Sequence, residues 1–369
     1  MDVAKKEVFV GLIHHLELGG AEKMMVIILN HFSKKNFKVH LIVFNNSGAL
    51  KSKLSNEIIV HDLAIGSVLK GMPKCLKTLY KIKPSRVFTG IGHLNIALAP
   101  FVPFMRRLIP NSKWISRETN IVSLQNQSAN APKLFDWLYK HCYANYDLIV
   151  AQSIDMKEDL AKNYGIQKNI VVINNPIDME QVEKASNETL EHGFKKQKIN
   201  LITVARLREE KRHDLMLRTM VLLPLEFVLT IVGSGEKEAE LKALCVELNL
   251  QNRVTFAGNQ SNPYPYMKNA DLFLLTSQRE GFPNVLLEAN ALGLPIVAFA
   301  SQGGITEIVK ESQNGLTSPF ANLEAFAEKI REAHSMNFDK KSIITMTKER
   351  YAKETVLAKY EKHLLEELK

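Results

Sequence analysis

The sequence predicts an α/β protein of two domains, and three observations carry that expectation. A chain of 369 residues exceeds what one ordinary core accommodates, since single cores stop growing near ~250–300 residues. Short apolar runs with the length of buried strands alternate with stretches of helical periodicity in both halves, the pattern of strands joined by crossover helices. The alternation lapses once. Asn174-Asn175-Pro176-Ile177-Asp178 is turn chemistry and Glu180 to Lys198 is polar, so a domain boundary belongs there. The division expected is 1–178, then 195–345, then a terminal helix at 346–369 that completes a helical run from Lys340 to Leu368.

In the first half, Val8 to Ile13 reads as a strand and the turn His14 to Gly20 as its exit. A helix follows from Ala21 to about Phe32, with Met24, Met25, Ile28 and Leu29 at helical spacing, and then a strand from Val39 to Phe44. This is a β-α-β opening. Arg86 to Thr89, Trp114 to Ser116 and Leu148 to Gln152 are further strand candidates. In the second half the candidates are Leu201 to Ala205, Phe227 to Val232, Val254 to Ala257, Leu272 to Thr276 and Pro295 to Phe299.

Composition bounds the class. Hydrophobic residues at 46% and charged residues at 24% suit a soluble globular chain, and no apolar run reaches the ~18 residues that span a bilayer. The start, MDVAKKEVFVG, shows no signal-peptide pattern, so a cytoplasmic protein is expected. Cys75, Cys142 and Cys245 have no paired spacing and read as buried thiols. The net charge of +9 is uneven: residues 1–190 hold 24 basic against 16 acidic side chains, residues 191–369 hold 24 against 23.

Two stretches of the basic half join apolar bulk to cations. From Met72, with Pro73 read as a helix start, Met72, Leu76, Leu79 and Tyr80 line one side and Lys74, Lys77 and Lys81 another; Ala99 to Pro110 sets Phe101, Phe104 and Leu108 beside Arg106 and Arg107. Such stretches suit an ordinary amphipathic helix packed on the sheet, or an anionic bilayer surface. The charge of this half favours the bilayer.

The stretch around which the second half is organised is Glu280 to Gly293, EGFPNVLLEANALG, where a strand feeds a helix through a tight turn. Free N–H groups of a helix's first turn face any anion placed there. Glu280 and Glu288 lie eight positions apart. Taken alone, one caps the helix and the other lies on its solvated face; beside a hydroxyl-rich ligand, each carboxylate accepts two hydrogen bonds. The whole string resembles the E-x7-E signature of retaining glycosyltransferases of the GT-B fold, glycosyltransferase family 4 in particular. Other stretches resemble the same family in order along the chain: GGAEK at Gly19-Gly20, Arg206-Leu207 with Lys211, Gly233-Ser234-Gly235, Arg253 to Gly258, and Gln302 to Glu307.

The resemblance implies a GT-B architecture, two Rossmann-like doubly wound domains facing a central cleft, the first for the acceptor and the second for a nucleotide-sugar. It implies a catalytic role for Glu280, Arg206 and Lys211. Donor binding is implied for Gly19, Gly20, Gly233, Gly235, Phe256, Gly281, Phe282, Pro283, Asn284, Val285 and Glu288. Arg206 and Lys211 would hold the diphosphate, Glu288 the ribose and Glu280 the sugar. A hydrolase with one acid and one base is the alternative use of paired carboxylates, but it has no diphosphate for a cationic pair to hold. Where many relatives carry an acceptor-side His, this chain reads Ile115 to Asn120, so Arg117 or Glu118 stands in its place and His93 is a further acceptor-side candidate.

The function implied is transfer of a sugar from a nucleotide donor, a UDP-hexose or UDP-N-acetylhexosamine, to a lipid-linked or saccharide acceptor such as a polyprenol-diphosphate saccharide. It would serve bacterial surface polysaccharide or lipopolysaccharide biosynthesis at the inner face of the cytoplasmic membrane. Asp-x-Asp is absent, Asp178-Met179-Glu180 being the nearest approach, and fixed cations can replace a divalent ion, so neither metal nor cofactor is expected. The rivals are a nucleotide-sugar epimerase or a glycogen-type polymerising enzyme of the same fold, and a non-catalytic binder of polyanions. Nucleic acid is not an expected partner, because the basic charge lacks interleaved stacking aromatics.

Overall fold

The computed structural model describes residues 6–17, 19–127, 131–190 and 197–365. Leu18 of the first turn, residues 191–196 of the polar boundary and the end of the terminal run lie outside them. The chain divides into two compact units, one running to Asn174 and resuming at Lys359, the other Asn175–Ala358.

The first unit holds strands β1 (Glu7–Ile13), β2 (Phe37–Val43), β3 (Ile59–Asp62), β4 (Arg86–Thr89), β5 (Lys113–Arg117), β6 (Leu148–Ala151) and β7 (Ile170–Val172). They form one sheet in the order β3-β2-β1-β4-β5-β6-β7, and every pair is parallel. Central strands such as β4 and β6 are buried along their whole length, as parallel strands with helices on both faces must be. Phe9 of β1 stacks on Phe32 of the helix Gly20–Ser33 with ring centroids 4.9 Å apart. Burial of each such side chain contributes about 1.5–3 kcal/mol.

The second unit holds β8 (Ile199–Val204), β9 (Phe227–Val232), β10 (Val254–Gly258), β11 (Leu272–Leu275), β12 (Ile296–Phe299) and β13 (Gly315–Ser318). Its order is β10-β9-β8-β11-β12-β13, again parallel throughout. Both sheets are doubly wound. The winding reverses between β1 and β4 in the first and between β8 and β11 in the second, and ligands of such sheets bind beyond the strand ends at that reversal.

Three expectations are corrected. Pro73 does not start its helix: Val68–Ile82 begins one and a half turns earlier, with Ser67 as its cap, and Pro73 is interior. Met72 and Leu79 of that helix point inward, so most of its apolar side is spent on the sheet. The polar stretch after the boundary opens with a helix, Met179–Ser186, capped by Asp178 through the N–H of Gln181 at 3.1 Å, with Val182 buried. The terminal run is two helices, Lys340–Tyr351 and Lys353–Leu365. They part at Ala352, where Ile177 accepts from the N–H of Lys353 and donates to Tyr351, a pairing distant in sequence that local pattern cannot reveal. From Lys359 this segment belongs to the first unit, where the Tyr360 hydroxyl accepts from Arg117 Nε at 3.0 Å and the Leu364 carbonyl from Arg86 Nε at 2.8 Å.

At the β2–β3 edge, His40 Nδ1 and His61 Nε2 lie 2.8 Å apart with the rings stacked. Burial, then His61 and Lys38, push His40 down to about 4. The unfolded chain therefore binds the proton more readily, and stability falls as pH drops from the ordinary histidine range toward 4, by at most about 1.4 kcal/mol per pH unit for one proton. Thermal melts from pH 7 to 4.5 should show this loss, and His40→Phe should flatten it.

Candidate active site

The loops leaving β8 and β11 at the second reversal are laced together. Gln278 N–H donates to the Glu210 carbonyl at 2.8 Å, and Thr276 Oγ1 to the Lys211 carbonyl at 3.0 Å. These bonds bring Lys211 Nζ to 2.6 Å from Glu280 Oε1, with the two side chains 21% and 11% exposed. The pair lies in a cleft of about 310 Å³ that Arg206, Arg208, Phe282, Pro283, Asn284 and Val285 also line. Glu280 thus faces a lysine rather than capping the following helix, Asn284–Ala291, whose start has no side-chain cap. The N–H groups of that first turn and the cations of the β8 loop surround one concavity, which suits an anion.

Two glycines let the loops approach. A Cβ on Gly233, at φ +137°, would lie 1.9 Å from the Ala205 carbonyl oxygen, and one on Gly303, at φ +114°, 1.9 Å from that of Glu280. The Gly303 turn also carries Gln302, whose carbonyl accepts from Glu280 N–H at 3.1 Å. Gly303 therefore sets the backbone of Glu280. It was visible in the sequence only as a glycine-rich turn, because its partner lies more than twenty residues away.

The other expected donor residues divide. Gly281 precedes the buried Phe282 and Pro283, and Val285 faces the cleft. Asn284 Oδ1 accepts from Asn175 Nδ2 at 2.7 Å. Glu288 is a turn further along, where Tyr264 donates to it at 3.4 Å, and burial and this carboxylate push the tyrosine's pKa up. Gly233 and Gly235 close β9 and Phe256 lies in β10, across β8 from the cleft. The Phe256 ring packs toward the core beneath Lys242. Arg212 binds Asp214 with two nitrogens at 2.9 and 2.8 Å and holds the left-handed turn, φ +49°, that closes the β8 loop. His213, beside it, is buried and pushed down to about 4.

In the first unit, Gly19 and Gly20 end the loop after β1 and His93 lies in the helix Gly92–Leu98 that follows β4, so all three stand at the reversal of that sheet. Arg117 and Glu118 do not. Arg117 is 1% exposed and Glu118 0%. Glu118 Oε1 accepts from Tyr143, from Asn95 at 3.1 Å and from Tyr139 at 3.3 Å, and burial raises its pKa. Expected on the acceptor side, both are corrected to interior residues: β5 lies inside the sheet, and its end is covered by tyrosines that the sequence places far away.

Two doubly wound parallel units, the second with a cationic cleft at its reversal, define the class as GT-B glycosyltransferases. Residues 18–181 match the family Glycosyltransferase Family 4, and residues 184–350 match Glycosyl transferases group 1. A Campylobacter jejuni protein, the N-acetylgalactosamine-N,N'-diacetylbacillosaminyl-diphospho-undecaprenol 4-alpha-N-acetylgalactosaminyltransferase, is 30% identical over 343 residues, 87% of this chain and 91% of its own. The solved structure of Anabaena HepE in complex with UDP shares the fold at TM-score 0.76 and 18% identity, covering 98% of this chain and 99% of that one. A Rickettsia africae glycosyltransferase does so at 0.79 and 19%, covering 98% and 100%. The chain belongs to the group 1, family 4 glycosyltransferases.

Gly303→Ala should leave the chain folded but lower its melting temperature, since a forced backbone of this kind costs about 1–3 kcal/mol. It should cut sugar transfer more than a matched Gly165→Ala change, which also sits at positive φ but in open space. Melting curves and turnover of the two variants check this.

Proposed function

We propose that the chain is a retaining glycosyltransferase that moves a hexosyl or N-acetylhexosaminyl group from a UDP-sugar to a polyprenol-diphosphate-linked saccharide during bacterial surface-glycan assembly. The observation that carries the reading is the Lys211–Glu280 pair at the β8/β11 reversal, with Arg206 exposed on the same cleft. Paired, the two charges neutralise each other. A bound diphosphate attracts Lys211 and Arg206, and Glu280 is then free to accept hydrogen bonds from the donor sugar's hydroxyls. As the bond from the anomeric carbon to the leaving phosphate breaks, the two cations stabilise the charge that builds on phosphate. The acceptor oxygen bonds the anomeric carbon on the same face, its proton passes to a phosphate oxygen, and the configuration is retained. Fixed cations do this without a metal ion. Glu288 would hold the ribose, and the first unit would take the acceptor, with His93 beside it.

The Campylobacter relative's name, with its diphospho-undecaprenol acceptor and alpha linkage, and the UDP in the HepE complex support the choice of substrates. For the membrane, the support is a surface of the first unit. The helix Val102–Leu108 exposes Phe104 (57%) and Leu108 beside Arg107, and the helix Pro132–Cys142 exposes Leu134 and Trp137 (54%) beside Lys133 and Lys140. Among the described residues no helix is long and apolar enough to cross a membrane. The reading is a peripheral protein at the cytoplasmic leaflet.

With a UDP-sugar panel and polyprenol-diphosphate saccharides, acceptor-dependent UDP release should appear for one donor and fall on the order of a hundredfold or more in Glu280→Ala. Release from no donor, or an unchanged rate in the variant, would sink the reading. Separately, Phe104→Asp combined with Trp137→Asp should reduce cosedimentation with anionic vesicles at unchanged melting temperature. Equal sedimentation would remove this surface from the account.

A further inference from the structure

The two carboxylates of the E-x7-E string meet partners of different kinds. Glu280 faces the ammonium of Lys211, whereas Glu288 Oε1 accepts from the phenol of Tyr264 at 3.4 Å. Glu288 follows Asn284 and Val285 by about one helical turn, so it continues the face on which those two residues line the cleft. Tyr264 opens the short helix Tyr264–Lys268, and the chain around it is pinned on several sides. Proline stands before and after it, fixing the flanking φ angles, and Pro265 is buried. Tyr264 N–H donates to Asn262 Oδ1 at 3.2 Å, and Asn262 Nδ2 donates to the Ala185 carbonyl at 2.8 Å, which ties the turn to the helix Met179–Ser186. Asn269 Nδ2 closes the other end on the Pro265 carbonyl at 2.8 Å.

The chemical difference between the two partners matters. A lysine cancels the charge of the carboxylate it holds, so that carboxylate is a full-strength acceptor only after the lysine has moved away. A phenol brings no charge, and its one hydrogen bond takes one of the about four lone-pair sites of a carboxylate. Such a bond fixes orientation without occupying the group. A vicinal diol needs that kind of acceptor, because its two hydroxyls reach both oxygens only when the carboxylate is turned the right way, and a supporting hydrogen bond from pinned backbone is what holds such a rotamer. We infer that Tyr264 is a positioning residue for the nucleotide's ribose. It acts through Glu288, turning that carboxylate so that it accepts from the 2′- and 3′-hydroxyls together, and so makes the enzyme select ribonucleotides over their 2′-deoxy counterparts. The inference rests on the reading that Glu288 holds the ribose.

Calorimetric titration of the full chain with UDP and with 2′-deoxy-UDP tests this in the parent, Tyr264→Phe, Glu288→Gln and the double variant, with melting curves as the control. Tyr264→Phe keeps the ring and removes only the donor. The parent should bind UDP about tenfold more tightly than 2′-deoxy-UDP, as loss of a hydrogen bond to a charged group requires. Tyr264→Phe should weaken UDP about fivefold and change 2′-deoxy-UDP less than about twofold. In the Glu288→Gln background it should add no further loss, because the two residues work through one interaction. If Tyr264→Phe leaves UDP affinity unchanged, weakens both nucleotides equally, or costs as much beside Glu288→Gln as it does alone, the inference is overturned and the ribose reading stands. A parent that binds the two nucleotides equally, or binds neither, overturns both. Turnover in the Glu280→Ala comparison remains a separate test of the Lys211–Glu280 chemistry.

Discussion

The cleft at the second unit's reversal is built around one ion pair, Lys211 with Glu280, held at 2.6 Å where the sheet reverses its winding. Two charges so nearly withdrawn from water are tolerable only in each other's company, because removing one leaves the other unpaired at a cost of several kcal/mol. The surrounding backbone is arranged to keep them together. The β8 and β11 loops exchange hydrogen bonds at Gln278 and Thr276, Gly303 clears the way for the Glu280 backbone, and Arg212 locks the end of the β8 loop onto Asp214. In the function proposed above, a site poised by an internal ion pair would bind an anion by exchange: the ligand would inherit a cation already oriented, and the carboxylate would become available for a second task.

Much of the fold was legible because parallel strands are buried on both faces and read as continuous apolar runs. Arg86–Thr89 and Phe227–Val232 have the predicted bounds, and the other predicted strands differ from the observed ones by one or two residues at one or both ends. The strands that went unread are short or atypical: β7 has three residues, β13 opens with glycine, and β3, at the sheet edge, is mostly exposed. The helix break at Ala352 was illegible for another reason. It is imposed by Ile177 from across the unit, and no local pattern carries that information.

The candidate site was legible to the extent that its chemistry is local. Glu280, the glycines and the β8-loop cations were singled out because short local stretches around them resemble the family's motifs, and the structure brings Lys211, Arg206 and Glu280 to one cleft. Burial is not local. Arg117 and Glu118 looked like surface groups at the end of a strand, yet Tyr143, Tyr139, Asn95 and Tyr360 enclose them.

The measurement that tests the central claim most directly is the affinity of UDP for Glu280→Gln compared with the parent. If Lys211 is released from Glu280 to hold the diphosphate, removing the carboxylate's charge frees the lysine in advance, and UDP should bind as tightly as before or a few-fold more tightly. Lys211→Met in the same assay should weaken binding by about tenfold or more, as the loss of a charged hydrogen bond of 1.5–3 kcal/mol requires. Weaker UDP binding in Glu280→Gln, by tenfold or more, would contradict the exchange and make Glu280 part of the nucleotide site itself.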